Sequence, residues 1–140
     1  MKNIVVVAML MFASSVLAEG FKSEQQTRDF ADKLMDQFIA KKFKEGLDSA
    51  KPYWPIPEVE IDGLANQISQ QWPIVDQRFG QAIDKEFISE KRIGKSFLRY
   101  YYLHKFQNHS IYWQIDFYKP RDEWKINSII FLDSLEALFE

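Results

Sequence analysis

Cysteine is absent from all 140 residues. That excludes disulfides, thiolate nucleophiles, thiolate metal sites and a lipid-bearing N-terminal cysteine. Histidine is nearly as scarce, with only His104 and His109. Two histidines are too few for a metal site, and no acidic residue stands at a spacing that names a third ligand. His109 falls in a turn and reads as solvated. Glycine and proline number five each. No phosphate-cradling glycine loop, nucleophile elbow or zinc-binding helix motif occurs, so no cofactor is implied. There is no repeat or low-complexity tract. Positive charge is also short: without residues 1–18 the chain has 17 basic against 20 acidic residues. A nucleic-acid partner would want a basic stripe. No apolar run beyond the N-terminus is long enough to span a membrane.

The N-terminus has the parts of a cleavable secretory signal. Lys2 supplies the positive start, Ile4 to Phe12 is an unbroken apolar run, and Val16-Leu17-Ala18 ends in a small residue. The run falls short of the ~20 residues a spanning helix needs before Glu19 and Gly20 end it. Residues 1–18 are therefore read as a signal peptide cleaved after Ala18. Residues 19–140 form a single periplasmic or secreted domain with no membrane segment of its own. At 46% hydrophobic and 16% aromatic, about 120 residues bury a real core without staples.

Helical spacing comes first. Ser23 with Gln26 resembles a capping box, and Phe30, Leu34, Phe38, Ile39 and Phe43 form an apolar stripe that Gly46 would stop. Pro52, Pro55 and Pro57 make the next stretch, around Tyr53 and Trp54, a stiff extended linker. Ile61, Leu64, Ile68, Trp72, Val75 and Phe79 then share one helical face up to Gly80. Pro73 predicts a kink or restart within it. Beyond Gly80 the period changes from 3.6 to 2. Strands are predicted over 84–92, 96–106, 111–118 and 124–132, with a short helix over 135–139.

Turn lengths set the faces. A four-residue loop at 107–110 pairs Phe106 with Ile111 and puts even positions of 98–106 with odd positions of 111–117. An even turn after Tyr118 adds Trp124, Ile126, Ser128 and Ile130 to that face. The opposite face then carries Arg99, Tyr101, Tyr112, Gln114, Asp116, Tyr118, Lys125, Ile129 and Phe131. A one-residue slip would invert a strand.

Helices followed by an antiparallel four-stranded meander define an α+β class. The arrangement resembles the nuclear-transport-factor-2-like fold, the cystatin-like α+β roll. Arg78-Phe79-Gly80 looks like that fold's hand-off into the sheet. Asp122-Glu123-Trp124-Lys125-Ile126 is similar to its last strand, a turn followed by Trp-x-Ile, with Glu123 where glycine is commoner. The likeness spans 21–139 and is one of architecture more than motif. It looks most like small exported bacterial members with no assigned activity. The fold hosts isomerases, dehydratases, polyketide cyclases and pure binding domains, so it does not select a function.

The resemblance implies a pocket at the wide end of the sheet's concave face. His104, Tyr100, Tyr102, Trp113 and Ser128 are the candidates there, with Trp54 as a plug or lid from the linker. The favoured reading is a non-catalytic binding domain for a small molecule. An alternative is proton transfer, with His104 as base and Tyr100 or Tyr102 polarising a carbonyl; a lowered His104 pKa would disfavour it. The opposite face carries Tyr101, Tyr112, Gln114, Tyr118 and Phe131, which suit an interface. Its occupants would be a second copy, since the resemblance implies sheet-to-sheet dimers, or an inhibitor- or immunity-type partner. Cover by the C-terminal helix would instead make it ordinary.

Overall fold

Ser23 starts the first helix in the computed structural model, which describes residues 19–140. The signal-peptide reading falls on residues 1–18, outside the described residues. Ser23 Oγ accepts from the Gln26 amide at 3.2 Å, and Gln26 Oε1 reaches back to the Lys22 amide at 2.8 Å. Helix α1 runs Glu24–Ile39 and buries Thr27, Ala31, Leu34, Met35 and Phe38. It does not reach Gly46. Lys41 takes a left-handed backbone at φ 61°. Its amide bonds the Phe38 carbonyl and that of Lys42 bonds Gln37, which is the Schellman stop with lysine in the place glycine usually takes. A new helix, α2 (Phe43–Ala50), starts at once and holds Gly46 in its interior. There the missing Cβ lets Phe38 and Leu34 approach: a Cβ would lie 3.0 and 3.2 Å from their atoms.

The proline-rich stretch opens with a single 3-10 turn, Lys51–Tyr53. Helix α3 follows as one element, Glu58–Phe79. The restart expected at Pro73 does not occur. An interior proline costs about 3 kcal/mol, and burial on both sides of it offsets that. Trp72 packs against Phe43, His104, Phe106, Trp113 and Phe131, and Phe79 is buried against Phe106. Gly80 at φ 86° ends the helix.

The sheet is a meander ordered β1-β2-β3-β4, with β1 at Ala82–Ile93, β2 at Phe97–Phe106, β3 at Ser110–Tyr118 and β4 at Lys125–Leu132. Its strands are antiparallel. The fold is thus α+β, three helices packed on one face of a four-stranded sheet. His104, not Phe106, pairs with Ile111, because Phe106 already bonds the His109 carbonyl across a tighter turn. A shift of two keeps every side chain on its expected face. Leu98, Tyr100, Tyr102, His104, Phe106, Ile111, Trp113, Ile115 and Phe117 are all buried there.

The last strand differs. Phe117 pairs with Ile126 but Asp116 pairs with Ser128, leaving Asn127 as an extra residue. This bulge inverts the faces beyond it. Ile129 and Phe131 enter the helix-bearing core, and Phe131 packs 4.9 Å from Trp113. Ser128 and Ile130 pass to the opposite face. Trp124 lies outside β4 and bridges to Phe21, which stacks on Tyr53 at 4.1 Å. The chain closes with a 3-10 turn, Glu136–Phe139.

Candidate ligand site

Tyr100, Tyr102, His104 and Trp113 meet on the helix-bearing face as expected, but as a filled core. Both tyrosine hydroxyls are engaged by α1. That of Tyr100 lies 2.7 Å from Thr27 Oγ1, and that of Tyr102 donates to Asp32 Oδ1 at 2.6 Å. Burial first, then the Asp32 carboxylate, pushes the Tyr102 pKa far up. Ser128 does not join them. It faces the other way and donates to Asp116 Oδ2 at 2.9 Å, because the Asn127 bulge has turned it over. Trp54 is buried in the core and lines a cleft with Pro55 and Ile56 on the linker side, away from His104.

His104 has no exposed surface. Its ring stacks on Phe106 at 4.3 Å and lies 5.5 Å from Trp72. Nδ1 accepts the Trp113 indole N–H at 3.1 Å. Burial lowers the pKa from 6.5 to about 4, against a smaller opposing pull from Asp76. This is the direction expected for a ring in an apolar wall.

Asp76 is the residue that sequence reasoning missed. It stands one turn after Trp72 on α3, so the two share a flank of the helix. Its Oδ2 is ion-paired with Lys41 Nζ at 2.5 Å, which ties α3 to the α1–α2 corner. Its other oxygen, Oδ1, is buried with no hydrogen-bond partner, and so are Trp72 Nε1 and His104 Nε2. Buried polar atoms are rarely left so. A cleft of about 230 Å³ is lined by Lys41, Phe43, Ser69, Trp72, Pro73 and Asp76, and His104 lies behind Trp72 outside that lining. Pro73 carries no N–H, so the Ser69 carbonyl lacks its usual helical donor. The left-handed Lys41 belongs to the same wall, and strained backbone of this kind gathers at functional sites.

The opposite face holds Arg99, Tyr101, Tyr112, Gln114, Asp116 and Tyr118, as the parity predicts. Asp116 is buried and accepts from Arg99 Nε and Nη2 at 2.9 and 3.1 Å, from Gln114 at 3.2 Å and from Ser128. The same pairing drives the Arg99 pKa further up. Tyr101 and Tyr112 are buried and pack edge-to-face at 5.7 Å. The chain leaves the sheet at the β4 edge and reaches the β1 edge, where Lys91 Nζ donates to the Glu140 carbonyl at 3.0 Å. The C-terminal segment therefore crosses this face. Tyr118 is exposed beyond it. Phe131, read onto this face from the sequence, is in the core instead.

Among the described residues no group of three or more His, Cys, Asp or Glu is placed to hold a metal ion. Among them, too, no helix is long and apolar enough to cross a membrane. No family model, no curated protein and no solved structure matches this chain.

Proposed function

We propose that this chain is an exported, non-catalytic binding domain of the nuclear-transport-factor-2-like type, taking a small molecule in the cleft between the α1–α2 corner and α3. The observation that carries the reading is the open cleft walled by Phe43, Trp72 and Pro73, which Lys41, Ser69 and Asp76 also line. Small-molecule sites combine apolar walls with a few polar groups, and here Phe43 and Trp72 supply the first and Lys41, Ser69 and Asp76 the second. The catalytic alternative finds less support. A base must reach a substrate proton, while His104 is sealed, and the hydroxyls of Tyr100 and Tyr102 already serve α1. A partner on the opposite sheet face would have to displace the C-terminal segment or rest on Tyr118 and the exposed Ile130 and Leu132.

Native mass spectrometry of the protein purified from an exporting host tests the reading. A mass increment of small-molecule size is expected on the wild-type chain and should be lost with Asp76→Leu. The same spectrum reports whether two copies associate. A chain that always flies bare would count against a binding role.

A further inference from the structure

The sheet ends in β1 on one side and β4 on the other, and the two edges are built differently. β1 carries Asp84, Lys85, Glu86, Glu90, Lys91 and Arg92, and its pairing with β2 slips after Ala82 and again after Phe87. Charge and irregularity of this kind keep an edge from pairing with another chain. From Ser128 to Leu132, β4 reads Ser-Ile-Ile-Phe-Leu, with no charge and no proline.

The outer side of this edge is already used once. Phe21 and Trp124, just ahead of β4, exchange both backbone bonds at 2.8 Å. The Asn127 bulge follows, and beyond it no described strand covers β4. Alternation along the sheet says which groups stay open. The Phe106 amide points at the His109 carbonyl, so even residues of β2 bond β3. With His104 opposite Ile111, odd residues of β3 bond β2 and even ones bond β4. Tyr112, Gln114 and Asp116 therefore hold Leu132, Ile130 and Ser128. The N–H and C=O groups of Ile129 and Phe131 point outward. The surface around them is apolar. Ile130 and Leu132 are exposed, and so is Ile74 on α3, beside a groove of about 380 Å³ that Val75, Phe79 and Phe131 help to wall. Arg78 and Asp133, of opposite sign, also line it.

We propose that Ser128–Leu132 is the contact between two copies of this chain, joined antiparallel about a two-fold axis through Ile130 into one continuous sheet. The strand is its own complement. Ile129 of each copy falls opposite Phe131 of the other, and each pair exchanges both backbone bonds, which uses every outward group of the segment. Ile130 meets its own copy, and Ser128 meets Leu132. Apolar cross-strand pairs of this kind stabilise, where like charges would not. The overall charge selects the same place. The chain is net negative, so two copies repel over most approaches, and this edge is free of charge where β1 is not. A two-fold contact also closes on itself, so it gives a pair and not a fibre.

Sedimentation velocity of the exported protein, over a series from low micromolar to millimolar, tests the proposal. The wild-type chain should pass from monomer to dimer. Ile130→Lys sets like charges against each other at the axis and should weaken the dimer about tenfold or more. Ile93→Lys, a charge added to the β1 edge, should change it less than about twofold. Amide hydrogen exchange on the same samples locates the contact. Protection at Ile129 and Phe131 should rise with concentration, while that at Ile130, bonded to β3, should not. If Ile130→Lys does not fold, the wild-type exchange pattern carries the test. A dimer that leaves the Ile129 and Phe131 amides exchanging as in the monomer overturns the proposal, as does one that Ile93→Lys breaks as readily as Ile130→Lys. Protection already present in the dilute monomer would mean that the chain covers its own edge, and overturns it too. A monomer at every concentration overturns it; if those amides are then protected only by an added synthetic strand of uncharged β-branched residues, the edge belongs to another protein's strand.

Discussion

The indole of Trp113 donates to Nδ1 of His104 across 3.1 Å, and the bond fixes which form of the histidine this core can hold. The two stand on neighbouring strands and the same sheet face, Tyr102 pairing with Trp113 and His104 with Ile111. Protonation at Nδ1 would break the bond and put a charge among Trp72, Phe106 and Trp113.

Stability should accordingly depend on pH through His104. Its folded pKa, about 4, lies below the ordinary 6.5. Between those values the unfolded chain binds the proton and the folded chain does not, so stability rises with pH across that window and is level above it. The full difference is about 3 kcal/mol. His104→Gln keeps an acceptor for Trp113 and does not titrate. Denaturant melts from pH 4 to 7 should show a shallower pH dependence for the variant. Parallel wild-type and variant profiles would refute the assignment, as would an NMR titration midpoint near 6.5.

Trp113→Ala should destabilise the fold by about 3–5 kcal/mol, the range for deleting a large buried aromatic. Phe38 at 4.3 Å and Phe131 at 4.9 Å both lose their partner. Equilibrium unfolding in urea measures the cost.

Two glycine-to-alanine changes should have opposite signs. Both glycines are interior helical residues, where alanine is intrinsically favoured by about 1 kcal/mol. At Gly63 in α3 a Cβ meets nothing within 4 Å, so Gly63→Ala should raise the melting temperature. At Gly46 the Cβ would press on Phe38 at 3.0 Å. Phe38 is itself held against Trp113, so crowding outweighs propensity and Gly46→Ala should lower it by an amount equivalent to about 1 kcal/mol.

On the opposite face, Asp116→Ala strands the Arg99 guanidinium and the Gln114 and Ser128 donors. A loss of about 3 kcal/mol is expected, tempered because Arg99 is partly solvated. Removing both charges together, as Arg99→Met with Asp116→Leu, should recover most of it. A double variant no better than the single one would show that the neutral donors, not the ion pair, carry the energy.

Much of this architecture is legible in the sequence because it is periodic. Ile61, Ile68, Trp72 and Phe79 mark the α3 face, and the alternation through Ile111, Trp113, Ile115 and Phe117 marks β3. What escapes is aperiodic. A left-handed Lys41 has no glycine to announce it, so α1 and α2 read as one helix. The Asn127 bulge has no residue signature either, and it turned Ser128 and Phe131 over. Asp76 escapes for another reason. It lies off the apolar stripe and looks like a solvated helix carboxylate; only its separation of four from Trp72 hinted that the two share a wall. The cover given to Tyr101 and Tyr112 depends on where the last eight residues cross, from Asp133 to Glu140, which no local pattern specifies.

The bulge also gives β4 two reading frames. Up to Ile126 its inward residues are even-numbered; from Ile129 they are odd. Deleting Asn127 would rejoin the frames without moving a single inward side chain, since Ile126, Ile129 and Phe131 would then alternate cleanly with Ser128 and Ile130. Gaining or losing a residue at this point is thus a change in the twist of an edge strand rather than a change of core. A chain with the same interior and one residue fewer here would differ in length and keep its packing.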